Sequence, residues 1–204
     1  MPTPSTQSSS AASTAAAHPV SWIRGIVFTA LFAALFIAFS SIQIPLWFTP
    51  IPITLQTFAV MIAGGLLGAR YGFWSIAVVV LLTATGLPLL HGNGGLSYML
   101  GPTAGFIWMF PFAALLIGWV SDRLFRHTKQ LNKKQFMILL LGIVAFGIIA
   151  EYIAGVAWLT QKSGMSVSKA LAAACYPFLP GDAIKAVAAA FLIRALRPFL
   201  PKLR

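Results

Sequence analysis

Apolar residues run in long blocks along this chain, and polar residues are gathered into short segments between them. Six such blocks occupy residues 22–44, 55–68, 73–90, 104–120, 136–159 and 182–200. Most are close to the ~20 residues that carry a helix across the ~30 Å hydrocarbon of a bilayer. The second block is shorter and carries Gly64, Gly65 and Gly68. The pattern predicts an all-α membrane protein with six transmembrane helices. Ahead of the first block, residues 1–20 are mostly Ser, Thr, Ala and Pro without charge, which predicts a disordered tail. That leaves 21–204 as one membrane domain. The first block exceeds the ~7–15 apolar residues of a secretory signal, so it is expected to be an uncleaved spanning helix.

Composition supports lipid as the main solvent. Of 204 residues, 59% are hydrophobic and only 8% charged, with mean hydropathy +0.88. Soluble domains run near 25% charged. The net charge of +11 sits in short loops and at the C-terminus. No basic helix face with interleaved aromatics accompanies it, so it is not a nucleic-acid footprint. With the N-terminal side taken as inside, the inner segments hold Arg24, Arg70, Arg123, Arg126, Lys129, Lys133, Lys134, Arg194, Arg197, Lys202 and Arg204. The outer loops hold Lys162 and Lys169 alone. The positive-inside rule then places both termini in the cytoplasm, in a multi-pass protein of the cytoplasmic membrane. A single cysteine, Cys175, excludes an internal disulfide, and the histidines at 18, 91 and 127 are too scattered for a metal cluster. Neither a metal nor a cofactor is expected.

The outer loops are unusual. Residues 45–57 contain three prolines and no charge, and 91–103 begin His-Gly-Asn-Gly-Gly. Non-helical backbone near membrane depth is tolerated where protein buries it or where it lines a cavity. These two loops are therefore expected to cover a pocket. The chain has only three acids: Asp122, Glu151 and Asp182. Asp182 and Lys185 open the last block three residues apart, on one side of a helix. Ionisable groups at such depth are costly and mark function. The alternative for Asp182 is a plain helix cap.

Gln56 and Asn93 add amides that both donate and accept. Tyr98 and Tyr152 belong to the same outer polar set, and Trp47, Phe48, Tyr98, Trp108 and Trp158 are candidates to wall an apolar body. Glu151, in the fifth block, has three open roles: a partner of Lys185, a pocket wall, or a structural partner. An apolar wall with a few fixed polar groups is the usual small-molecule site. Ala30, Ala34 and Ala38 recur every four residues and make a smooth stripe for close helix packing, against this chain or a membrane partner. No catalytic motif and no phosphate-binding loop occur, so the protein is expected not to be an enzyme, and any nucleotide-driven motor would lie on another chain. An intramembrane enzyme acting on lipid and a purely structural subunit are the alternatives to small-molecule capture.

Several motifs, in order, carry a resemblance. They are Pro-Ile-Pro-Ile-Thr-Leu-Gln-Thr (50–57), Ala-Gly-Gly-Leu-Leu-Gly-Ala-Arg-Tyr-Gly (63–72), Gly86-Leu87-Pro88, Gly101-Pro102-Thr103-Ala104-Gly105 and Pro180-Gly181-Asp182-Ala183-Ile184-Lys185. Over residues 22–200 the chain resembles the BioY family, the biotin-specific substrate-binding subunits (S components) of energy-coupling factor transporters. Ala104 and Phe106 stand where that family's motif has Gly and Tyr. The resemblance implies a six-helix S-component bundle with a vitamin site near the external face. Asp182 and Lys185 match the family's ligand-contacting Asp and Lys, and Gln56 and Asn93 lie in matching loops. It also implies that the alanine stripe meets a transmembrane coupling subunit and that two cytoplasmic ATPases supply the energy. Biotin, with a ureido group, an apolar bicycle and a carboxylate, is the implied ligand. The same scaffold serving another small vitamin is the alternative.

Overall fold

The computed structural model describes the backbone of residues 17–201 and the side chains of residues 22–201. Up to residue 16, the expected tail lies outside the described residues, as do Lys202 and Arg204. Helix α1 (Ala17–Ser41) leads into a short antiparallel hairpin, β1 (Gln43–Ile44) with β2 (Ile53–Thr54), in the register Gln43↔Thr54. Helices α2 (Gln56–Leu67) and α3 (Ala69–Ala84) follow, then the one-turn α4 (Leu96–Met99) and the long α5 (Ala104–Leu124). Helices α6 (Lys133–Val144) and α7 (Ala150–Ser163) form one rod, joined by a π-helical turn at Ala145–Ile149. The short α8 (Val167–Ala174) and then α9 (Leu179–Leu196) close the bundle, ending in a 3₁₀ turn at Arg197–Phe199.

The fold is all-α, and each of the six apolar blocks corresponds to one rod. Three rods are long and apolar enough to cross a membrane on length and composition alone: Trp22–Ser41, Ala104–Leu124 and Lys133–Ser163. α9 spans 18 residues but carries Asp182, Lys185 and Arg194. α2 has only 12 residues, and ten of them are buried. At 1.5 Å per residue it reaches about 18 Å, short of the hydrocarbon thickness. It can be short because other helices, rather than lipid, surround it. A Cβ on Gly64 would lie 2.3 Å from the Ala114 carbonyl oxygen, and one on Gly72 would lie 2.7 Å from the Gly64 Cα. Glycine there lets α2, α3 and α5 meet backbone to backbone.

Several boundaries differ from the pattern. The third rod starts at Ala69, four residues before the expected 73, so Ala69, Arg70, Tyr71 and Gly72 are helical rather than a turn. The turn is Gly68 alone, at φ +85. Its neighbour Ala69 donates its N–H to Asp122 Oδ2 at 3.0 Å, and Arg197 donates to the other Asp122 oxygen, to the Gly65 carbonyl and, at 2.6 Å, to Ser121 Oγ. A polar tie from α5 and from the 3₁₀ turn after α9 thus replaces the residues a wider turn would need. The same rod ends at Ala84 rather than 90, because Gly86 takes φ +111 and Pro88 has no N–H to continue the helix. The fifth rod begins earlier than expected. Asn132 and Gln135 form a capping box: Gln135 N–H donates to Asn132 Oδ1 at 2.9 Å and Asn132 N–H to Gln135 Oε1 at 3.0 Å.

Along α1, Phe32, Ala33, Phe36 and Ser40 face inward while Ala30, Ala34 and Ala38 are exposed. Among the described residues, the alanine stripe is therefore left on the outer face of the bundle.

Candidate functional site

Helix α9 starts at Leu179 with Pro180 in its first turn, where a missing N–H costs nothing. Asp182 stands inside that turn and is buried, at 5% exposure. It caps nothing: Phe178 is the N-cap, without a side-chain bond. The Asp182 carboxylate instead gathers three donors from three helices. Its Oδ1 accepts from Lys185 Nζ at 2.8 Å and from Thr57 Oγ1 at 3.1 Å, and its Oδ2 accepts from the Tyr152 hydroxyl at 2.6 Å. Lys185 also donates to the Thr54 carbonyl at 2.6 Å and to Thr57 Oγ1 at 3.2 Å. An ammonium has three protons, so Lys185 is fully engaged. Asp182, with roughly four acceptor positions, keeps one.

The hairpin sets the second part of the site. Thr54, the last residue of β2, accepts the Gln56 N–H at 3.2 Å and donates to Gln56 Oε1 at 3.3 Å. Gln56 Nε2 is buried without a partner among the described residues. Turning the amide over only moves the unpaired position to its oxygen.

The π turn sets the third part. One extra residue in the rod advances the following face by about 100°, and Gly147 lets the bulge sit against Met61 and Ile117, whose side-chain atoms would be 3.0–3.1 Å from a Cβ there. Glu151 follows directly on α7 and is 2% exposed. Its Oε1 is buried and unpaired among the described residues.

Asp182, Lys185, Gln56, Tyr152 and Glu151 all line one inner cavity of about 60 Å³, with walls that include Ile51, Phe106, Phe110, Ile148 and Phe178. A second, outer cleft of about 600 Å³ is lined by both external-side loops, 45–57 and 91–103. The two spaces share Pro52, His91 and Thr103.

Other candidates fall elsewhere. Asn93 is exposed, donates to the His91 carbonyl at 3.0 Å and lines only the outer cleft. Tyr98 also lines the outer cleft, with its hydroxyl 3.0 Å from His91 Nδ1. Trp47 is 96% exposed and lines neither space. The indole N–H groups of Trp108 and Trp158 donate to the carbonyls of Met99 and Gly101, at 3.0 and 2.8 Å, so these rings brace the 91–103 loop rather than wall the cavity. Phenylalanines and isoleucines form the wall instead.

Two polar residues of the cavity lie outside the set that the sequence singles out: Thr54, whose carbonyl accepts from Lys185, and His91, which the sequence suggests only as a scattered histidine. Burial holds its imidazole below the ordinary histidine range, and its Nε2 is buried and unpaired among the described residues. Its place at the head of His-Gly-Asn-Gly-Gly was the one available signal.

A bundle of apolar helices with a small cavity, apolar in its walls and set with a few fixed polar groups, has the form of a small-molecule binding site. The sequence profile of the BioY family matches residues 7–202, and the chain belongs to that family. It is 42% identical over 183 residues to a protein of Rhizobium etli named biotin transporter BioY, covering 87% of this chain and 97% of that one. A Lactococcus lactis protein of the same name is 35% identical, over 86% of this chain and 91% of its own length. Among solved structures, the S component for biotin from an ECF-type ABC transporter superposes with TM-score 0.78 at 34% identity, over 86% of this chain and 91% of that one.

Proposed function

We propose that this protein is the membrane-embedded, high-affinity biotin-binding subunit of a biotin uptake system, and not an enzyme. The observation that carries the reading is the polar set of the inner cavity. Gln56, His91 and Glu151 each bring to it a buried polar atom unpaired among the described residues, and Asp182 keeps a free acceptor position. Each unmet group costs about 1–3 kcal/mol, and a ligand with N–H and C=O groups on an otherwise apolar ring meets them. A ureido ring has that chemistry. Its N–H groups suit Asp182 and Glu151, and its carbonyl suits the Gln56 amide. Lys185, already bound to three protein acceptors, holds Asp182 and Thr57 in place and fixes the rim of the cavity through Thr54. Tyr152 sets the second Asp182 oxygen.

The basic ends of α3, α5, α6 and α9 lie away from the cavity, which supports a cytoplasmic placement for them and an external mouth for the outer cleft. The outward alanine stripe of α1 suits a transmembrane coupling subunit, with two ATPases beneath it. The protein would then sit in the cytoplasmic membrane as a multi-pass subunit.

The test is equilibrium binding by purified protein in detergent, with biotin against a panel of other vitamins. Submicromolar affinity for biotin alone is expected. Preference for a different vitamin would move the substrate assignment while leaving the receptor role.

A further inference from the structure

Residues Leu90, His91, Gly92 and Asn93 form a tight turn. Leu90 and Asn93 exchange backbone hydrogen bonds at 2.9 and 3.3 Å, and the two residues between them have φ +56 and +71. Positive φ at both central positions is the type I′ geometry, which favours Asn, Asp or Gly at the first of them. A histidine there is the only non-glycine residue with positive φ among the described residues. The backbone does not ask for it, so its side chain is the reason for its presence.

That side chain lines both the inner cavity and the outer cleft, at the neck between them. The Tyr98 hydroxyl lies 3.0 Å from His91 Nδ1. With that hydroxyl donating its one proton to Nδ1, the imidazole carries its own on Nε2, the atom that is buried and unpaired among the described residues. The neck thus presents one preset N–H donor.

Resting on the biotin reading above, we propose that His91 is a specificity residue that donates its Nε2–H to the ligand carboxylate at this neck. The inner cavity, at about 60 Å³, is much smaller than the outer cleft of about 600 Å³ that it meets at this neck. Its one ammonium, Lys185, is saturated by three protein acceptors, so no cation is left there for a ligand carboxylate. Desolvation disfavours an unpaired carboxylate in that interior, whereas the neck borders the wide outer cleft, where the charge keeps part of its hydration.

The test compares biotin with the alcohol in which its carboxylate is reduced to CH₂OH, on the full chain and on His91→Asn and His91→Gly, both of which suit the turn. A thermal melt of each variant confirms folding. Wild type should prefer biotin by ~10-fold or more, as a hydrogen bond to a charged group implies. Both variants should narrow that preference to under ~3-fold by weakening biotin, with little change for the alcohol. Tyr98→Phe, which releases the tautomer, should fall between. An unchanged preference in folded variants, or an equal loss of both ligands, overturns the role of His91 and leaves the biotin reading standing. Failure of wild type to bind biotin overturns both, and is seen before any variant is made.

Discussion

The Tyr152 hydroxyl of α7 donates a 2.6 Å hydrogen bond to Oδ2 of Asp182 on α9, while Lys185 and Thr57 hold the opposite oxygen. One buried carboxylate therefore joins α2, α7 and α9 at the wall of the cavity. A single substitution cannot separate the proposed ligand-binding role of Asp182 from this structural one, because removing one partner of a buried pair leaves the other uncompensated.

Asp182→Asn and Lys185→Ala should each weaken biotin binding by about 1–3 kcal/mol or more and also lower thermal stability. Replacing both, as Asp182→Asn with Lys185→Met, should recover much of the stability and none of the affinity. Melting in detergent and calorimetric titration separate the two quantities. Full affinity in the double variant would remove the pair from the site.

Glu151 behaves differently because its Oε1 has no protein partner among the described residues. Glu151→Gln should leave the melting temperature unchanged or raise it, since a buried carboxylate without a donor is a cost to the fold. Affinity should drop ~10-fold or more. A stability loss with intact affinity would make Glu151 a structural partner instead.

Ala30→Trp and Ala34→Trp place bulk on a face that is exposed among the described residues. Ligand binding should be unaffected, while uptake in cells falls sharply. Loss of binding in detergent would mean that the stripe supports the site itself.

Gly64→Val should be destabilising by about 3 kcal/mol or more, at the upper end of overpacking costs, because its Cβ would meet the Ala114 carbonyl rather than a side chain able to move. The readout is the yield of folded, detergent-soluble protein and its melting temperature. A wild-type melt would show that α2 and α5 separate more readily than their contact implies.

Burial lowers the His91 pKa in the folded protein, so between that value and about 6.5 the unfolded chain binds a proton that the folded chain does not. Stability should therefore rise with pH across that window and fall as the pH is lowered through it. His91→Asn should flatten the profile in a series of melts. A slope unchanged in this variant would place the titrating group elsewhere.

The rods were legible in the apolar blocks because lipid imposes the same demand at every residue: backbone polar groups must be met within the segment, and side chains must be apolar. Departures from that demand were legible too, which is why Asp182, Lys185 and Glu151 stood out among the few charges before any packing was known. Boundaries were less legible. Gly68 makes a one-residue turn only because Asp122 and Arg197, distant in sequence, meet the backbone there, and the π turn at Ala145–Ile149 has no local signature.

What the sequence determined by itself is the class of the molecule and the small set of groups able to recognise a polar ligand, since composition and the cost of burying charge are local quantities. Tertiary structure alone decided which of those groups face a common cavity. It turned Glu151 inward, spent the donors of Lys185 on Thr54, Thr57 and Asp182, left Asn93 on the outer rim, and brought His91 to the neck. The engagement of Lys185 depends on hydrogen bonds to residues more than a hundred positions away, Thr54 and Thr57, and the shared cavity depends on helices brought together from the whole length of the chain, so no window along the sequence contains them.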